Sequence, residues 1–318
     1  MLRNMIISLF HSYDGSSQYI GYKLNNYPTF LTVGPGRCIA LLVPTDLAAY
    51  PGLKSNLVSL KLGVKCIVSS DGTIIDNNFD ILQCESSDLA HIDTFVLLCQ
   101  AFVSTISEQN KPRDAIWQLF NSLLALFTLQ PAADLSKERQ GLWGELFIMR
   151  ALGATKCLVQ YWHKEVNRKF DFSCGRKRIE VKTTTSPNRI HMFSHHQLQS
   201  DKDIVIASLI LSPEEAGLSL MALINEARDS IGEDYESLMK LERAVKYAGM
   251  NVHNEAGPSY DEEEALASLA WFWAKDIPKF PMPEPAGVSG TRYNVDLSSA
   301  VRLSANELED FISDFISI

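Results

Sequence analysis

The spacing of apolar residues changes character along this chain. Residues 1 to about 90 alternate short β-prone runs with turn signals: Tyr19 to Tyr22, Phe30 to Val33, Cys38 to Val43 and Val64 to Val68, the last followed by Asp71-Gly72. Such runs predict an antiparallel β-rich domain. Gly34-Pro35-Gly36 reads as a turn and not as a phosphate loop, because no Lys-Ser or Lys-Thr follows and the proline removes an amide donor. From Leu89 to about Phe127 the period becomes helical, with Phe95, Leu98, Phe102, Ile116, Phe120, Leu123 and Phe127 three or four residues apart or in register with that repeat. These helices are expected to connect the first domain to the next.

Ser136 reads as the N-cap of a helix from Lys137 to Leu152, with Gly153 as its C′ stop. Leu142, Trp143, Leu146, Phe147 and Met149 supply a buried side, and Gly141 and Gly144 are expected to let the helix backbone approach a sheet closely. Glu145 lies amid this stripe, where a carboxylate is costly unless it is paired or bound to a cation. An apolar run at Cys157 to Trp162 reads as a strand, then come a hairpin, a short helix near Ser194 to Leu198 and a buried strand at Ile204 to Leu211. The predicted order is helix, three strands, helix, strand. Beyond it, Leu218 to Ile224 and Tyr235 to Tyr247 read as helices, Asp261 to Glu264 as a solvated helix start, Pro278 to Pro285 as a loop and Ala305 to Phe315 as an amphipathic helix. The expected layout is a β-rich domain at 1–90, a helical connector at 91–134, a core at 135–212 and a mostly helical extension at 213–318.

The hairpin carries the chemistry. Polar and apolar residues alternate through Arg168 to Lys182 on both sides of a turn. With Cys174 to Lys177 as a four-residue loop, Asp171 lies opposite Glu180; Phe170, Phe172, Ile179 and Val181 share one face, and Asp171, Glu180 and Lys182 share the other. Facing carboxylates about 5 Å apart repel each other and need an offset. A hard divalent cation such as Mg²⁺ supplies it, taking one or two carboxylates while keeping water and phosphate in its other positions. With Lys182 on the same side, the set describes metal-assisted phosphodiester hydrolysis.

Composition narrows the rest. The protein has 318 residues, 46% of them hydrophobic, enough for two or three compact units. Met1 to His11 contains too short an apolar run for a signal peptide and no segment approaches a membrane span, so the expected location is cytoplasmic. The six cysteines are scattered, with no Cys-x-x-Cys pair, and read as reduced, mostly buried small hydrophobes. The net charge of −9 argues against a general polyanion binder, but Glu138 to Gln199 holds eleven basic against five acidic residues. A basic centre in an acidic protein fits a local phosphate-binding surface.

Gly141-Leu142-Trp143-Gly144-Glu145-Leu146, Phe170-Asp171-Phe172, Glu180-Val181-Lys182-Thr183-Thr184, His195-His196-Gln197-Leu198 and Gly287 to Tyr293 together resemble the PD-(D/E)XK nuclease superfamily, and within it a bacterial "PD-(D/E)XK motif protein" family whose members are often encoded beside DNA methylases and ATPases in phage-defence islands. The resemblance runs from about 90 to 300 and is clearest from 141 to 200. The proline that names the superfamily is absent, since Phe170 precedes Asp171, but Glu180-Val181-Lys182 is the only Glu-x-Lys here. The resemblance implies an α/β (α+β) protein with a restriction-endonuclease-like αβββαβ core. It implies that Asp171, Glu180 and the Val181 carbonyl hold Mg²⁺, with Mn²⁺ as a substitute, that Lys182 orients or deprotonates the attacking water, and that Glu145 touches a second metal or its water shell. Gln197 points an amide at the site, caps its helix or contacts a phosphate. His191, His195 and His196 lack the intervening glutamate of a helical zinc site. Arg168, Lys169, Arg176, Lys177, Arg178 and Arg189 are candidates for backbone phosphate contacts. The implied function is a Mg²⁺-dependent endonuclease acting on DNA in a restriction or anti-phage system, with methylase or ATPase partners and, for double-strand cutting, a homodimer; no residue separates DNA from RNA. The alternatives are a non-catalytic nucleic-acid-binding or scaffolding subunit and a merely salt-bridged hairpin.

Overall fold

The computed structural model describes residues 2–24, 28–106, 111–162, 170–199, 202–250, 256–280 and 284–316. The chain forms two compact units, residues 1–130 with 232–242 and residues 131–231 with 243–318. In the first, α1 (Leu2–Ser12) precedes six strands: β1 (Tyr19–Leu24), β2 (Thr29–Gly34), β3 (Cys38–Pro44), β4 (Tyr50–Lys54), β5 (Val58–Ser70) and β6 (Thr73–Cys84). The apolar runs of β2 and β3 are buried throughout apart from the end of β3, and Pro35-Gly36 turns between them, with Gly36 at φ 81°. The sheet order is β1-β2-β3-β6-β5-β4, and β1 also pairs in parallel with β5 through Tyr19 and Val68. Because β5 is irregular between Lys61 and Val64, its first part pairs with β4 and its last with β1, which closes five strands into a ring. Tyr19, Phe30, Val68 and Phe79 pack within it. The helical period of 89–127 appears as α2 (Leu89–Ile106) and α3 (Pro112–Thr128), which both fall in this first unit.

The second unit begins with α4 (Leu135–Ala151). Its N-cap is Asp134, whose side chain accepts the Lys137 amide, and not Ser136 two residues on. Aspartate there satisfies an orphan amide and places a negative charge at the positive helix end. Gly153, at φ 61°, does end the helix. The run expected as a strand at Cys157 to Trp162 is helical, α5 (Thr155–Tyr161), and only Trp162 bridges to Phe172 as a strand residue.

Then follow β7 (Phe172–Cys174), β8 (Lys177–Thr184), β9 (Ile190–Ser194), the single turn α6 (His195–Leu198) and β10 (Asp203–Ile210). Leu218 and Ser219, expected in a helix, finish β11 (Pro213–Ser219); α7 (Leu220–Ile231) starts after them. The rest of the chain supplies α8 (Tyr235–Tyr247), β12 (Ser259–Tyr260), α9 (Glu262–Ser268), β13 (Ala270–Trp273), β14 (Arg292–Asp296) and α10 (Ala305–Ile316). A four-stranded sheet runs β13-β10-β8-β7, with β10 parallel to β8 and the outer pairs antiparallel, while β9 pairs with β14. The C-terminal part, expected to be mostly helical, therefore contributes strands beside the core. The fold is mixed α and β, and no helix among the described residues is long and apolar enough to cross a membrane.

Candidate active site

Alternation along β8 sets the site. The pairs Cys174 with Lys177, Ser173 with Arg178 and Phe172 with Ile179 flank a turn at Gly175-Arg176, and the same register continued one step puts Asp171 opposite Glu180. The Asp171 carboxylate accepts the Val181 amide at 2.7 Å, which fixes it against β8 just before β7 begins. Glu180 is 5% exposed, and its Oε1 accepts both the Lys182 ammonium and the Gln197 amide, each at 2.6 Å. Gln197 thus turns its amide to Glu180 and also caps its helix, since its Oε1 accepts the Ser194 amide in a capping box.

Glu145 comes from α4, which packs on the opposite side of β8: a Cβ placed on Gly144 would lie 2.3 Å from Thr183 Cγ2 and 3.4 Å from Val181. Gly144 is thus the close approach that was expected, whereas a Cβ on Gly141 would meet nothing within 4 Å. Glu145 is 5% exposed and accepts the indole N–H of Trp162 at 2.5 Å. The face carrying Glu180 is also packed. Ile206, the β10 partner of Glu180, sits in a cluster with Phe193, Ile204 and Phe272, and Phe170 joins this cluster although alternation had grouped it with Ile179 and Val181. Phe170 precedes the regular strand, so the period of two does not bind it.

The electrostatics follow from that packing. Burial pushes the Glu180 carboxyl above the usual carboxylate range; Lys182 and Gln197 hold it partly back, and the negative charge of Glu145 adds to the rise. Burial alone would lower Lys182, but Glu180 and Asp171 more than offset it and leave the ammonium held more firmly than in water. Lys182 also stands 5.2 Å from the centre of the Phe193 ring.

The basic residues divide sharply. Arg176 is exposed on the hairpin turn. Arg178 donates to the carbonyls of Gly175 and Lys177, and so braces that turn. Lys177 donates to the carbonyls of Asp310 and Phe311 and pairs with Asp314 at 2.8 Å, which ties it to α10 and corrects its expected place on a phosphate. Arg189 is corrected likewise: it is 6% exposed and spends its guanidinium on the Ser208 carbonyl and hydroxyl and the Ser268 carbonyl. Arg168 and Lys169 lie outside the described residues. His191 is buried with Nε2 2.6 Å from the Ser208 hydroxyl, and His195 is buried at the start of α6. Two residues that alternation did not single out act on the site: Trp162 donates to Glu145, and the charge of Arg292 is felt at Lys182. Their signal is tertiary, a donor from α5's end and a cation from β14, and no local spacing announces it.

Glu145, Asp171 and Glu180 offer carboxylate oxygens and Val181 a carbonyl, all hard donors suited to Mg²⁺ or Mn²⁺. Both hydrogen bonds to Glu180 fall on Oε1, and the mutual repulsion of Glu145 and Glu180 is what a dication would relieve. Among the described residues, however, no group of three or more His, Cys, Asp or Glu is gathered closely enough to hold an ion.

A mixed sheet with a Glu-x-Lys on one strand, an aspartate just ahead of the strand paired with it and a glutamate on the helix packed behind is a nuclease-like arrangement. A family model described as "Putative PD-(D/E)XK family member, (DUF4420)" matches residues 34–298, and the chain belongs to that family. No curated protein and no solved structure matches the chain.

Proposed function

We propose that the protein is a metal-dependent endonuclease that hydrolyses DNA phosphodiester bonds as one component of a restriction or anti-phage system. The observation that carries this reading is the buried Glu180 paired with Lys182 on one face of β8 and held by Gln197, with Asp171 hydrogen-bonded to the intervening Val181 and the charge of Glu145 felt at Glu180. Helix α4, the Trp162 bridge, β7, β8, β9, α6 and β10 come in that order, which supports an αβββαβ-like core if α5 is taken in place of most of the first strand and β9, which pairs with β14, is set aside. When bound, Mg²⁺ supplies polarisation of the scissile phosphate and charge neutralisation at the leaving oxygen. Asp171, Glu180 and the Val181 carbonyl would hold it, and Glu145 would serve its water shell. Gln197 keeps the Glu180 carboxylate in one orientation. Lys182, an ammonium in its pairing with Glu180, orients the attacking water as a donor.

Asp171→Ala and Lys182→Ala are each expected to lower cleavage of DNA in Mg²⁺ or Mn²⁺ by on the order of a hundredfold or more, and Asp171→Ala to abolish the Mn²⁺ site seen by calorimetry. RNA in the same assay decides the substrate class, and sedimentation decides between monomer and dimer. Wild-type protein that leaves both nucleic acids intact with its neighbouring gene products present, and that binds no Mn²⁺, would establish a scaffold in place of an enzyme.

A further inference from the structure

Three of the cations expected on phosphate are spent elsewhere: Lys177 on α10, Arg178 on its own turn and Arg189 on buried carbonyls. Arg292 is placed differently. It opens β14, whose pairing with β9 sets Arg292 opposite Ser194 and Tyr293 opposite Phe193. Those two partners support the acid site, since the Phe193 ring lies against the Lys182 ammonium and Ser194 caps the turn that carries Gln197 to Glu180. The start of β14 is anchored on both sides, the Thr291 amide donating to Glu284 at 2.7 Å and the Thr291 carbonyl accepting the His195 amide at 2.9 Å.

On this fixed base the guanidinium is exposed, and it makes no hydrogen bond or ion pair with another described residue. Its charge is felt at Lys182, where it opposes protonation. Two cations that feel each other's charge beside a carboxylate site repel until an anion lies between them, and a planar guanidinium matches phosphate oxygens in a fork.

We propose that Arg292 binds a phosphate of the nucleic-acid strand at the β9–β14 rim, fixing the phosphodiester against Lys182. This rests on the nuclease reading. The test is fluorescence anisotropy with a labelled DNA duplex in EDTA, across 50 to 200 mM salt, for wild type, Arg292→Gln and Arg292→Lys; those salt limits are chosen to span roughly the range in which phosphate contacts dominate. Arg292→Gln should bind roughly tenfold more weakly, as loss of one charged hydrogen-bonded contact implies, with the slope of log affinity against log salt shallower by about 0.9. Arg292→Lys should restore the slope and only part of the affinity. Mn²⁺ binding by calorimetry should be the same in all three, which also verifies that the variants are folded. Wild-type affinity and slope in Arg292→Gln would overturn the assignment and leave the nuclease reading standing. Wild type that binds neither duplex nor single strand overturns both.

Discussion

His191 is a buried titratable group close enough to Lys182 and Arg189 to feel both charges. Burial first, then the charges of Lys182 and Arg189, push its imidazole down to about 4, so it is neutral at physiological pH and its Nε2 meets the Ser208 hydroxyl. A folded value below the unfolded one means that folding favours the neutral ring. The contribution is complete above the unfolded value of 6.5 and is lost as pH falls toward 4. For this one group the loss is on the order of 3 kcal/mol. His191→Gln keeps a polar partner for Ser208 and does not titrate. Unfolding free energy measured by urea titration should therefore fall less steeply for the variant than for wild type over that pH window, and parallel curves would refute the assignment. The same residues show what sequence can and cannot say about single side chains. Acids and a lysine on alternating strand positions were readable because a period of two decides which face they share. Arg189 was not, because its partners Ser208 and Ser268 are distant in sequence and only the fold makes a buried guanidinium affordable.

Helix α4 and strand β8 are joined by a contact that only glycine permits. Thr183 is β-branched, with little freedom at χ1, and its Cγ2 fills the space where a residue-144 Cβ would be. Gly144→Ala must therefore push α4 away from β8 or turn Thr183 out of place, and either shift moves Glu145 relative to Glu180. Overpacking of this kind costs about 1 to 3 kcal/mol. Thr183→Ser removes Cγ2 and keeps the hydroxyl that accepts from Gln140 at 3.1 Å, so Gly144→Ala/Thr183→Ser should recover most of the lost stability. Gly141→Ala, with nothing nearby, should instead be neutral or stabilise the helix by up to about 1 kcal/mol. Thermal melts of the three variants check the set, and a Gly144→Ala as stable as wild type would show that the contact is soft. Element by element, the hairpin register was readable because alternation and a four-residue turn leave one solution. Cys157 to Trp162 was not, since a short apolar run fits a buried helix as well as a strand.

At the scale of the whole molecule, a sequence divided from left to right misses one feature: the chain leaves the second unit at Gly232 and returns at Arg243, and residues 232–242 belong with 1–130. The amphipathic spacing of Tyr235 to Tyr247 announced a helix but not which core it serves. Within that segment Tyr235, Leu238, Met239 and Leu241 are at most 7% exposed, and the Tyr235 ring packs edge-on against Phe102 at 4.9 Å. Each such side chain contributes about 1.5 to 3 kcal/mol when fully buried, so the segment holds several kcal/mol that depend on residues 1–130 being present. A protein cut at residue 130 divides the first unit even though the catalytic candidates all lie in the second. The fragment 131–318 is accordingly expected to present these four apolar residues to water, to bind the dye ANS and to associate at micromolar concentration. Replacing Leu238 and Leu241 by Glu in the fragment should remove both the dye binding and the association while leaving its far-UV circular dichroism unchanged. The same pair of substitutions in the full-length protein should be strongly destabilising, because there the carboxylates would have to be buried. A fragment that stays monomeric without them, or a full-length double variant that melts like wild type, would mean that residues 232–242 belong to the second unit after all.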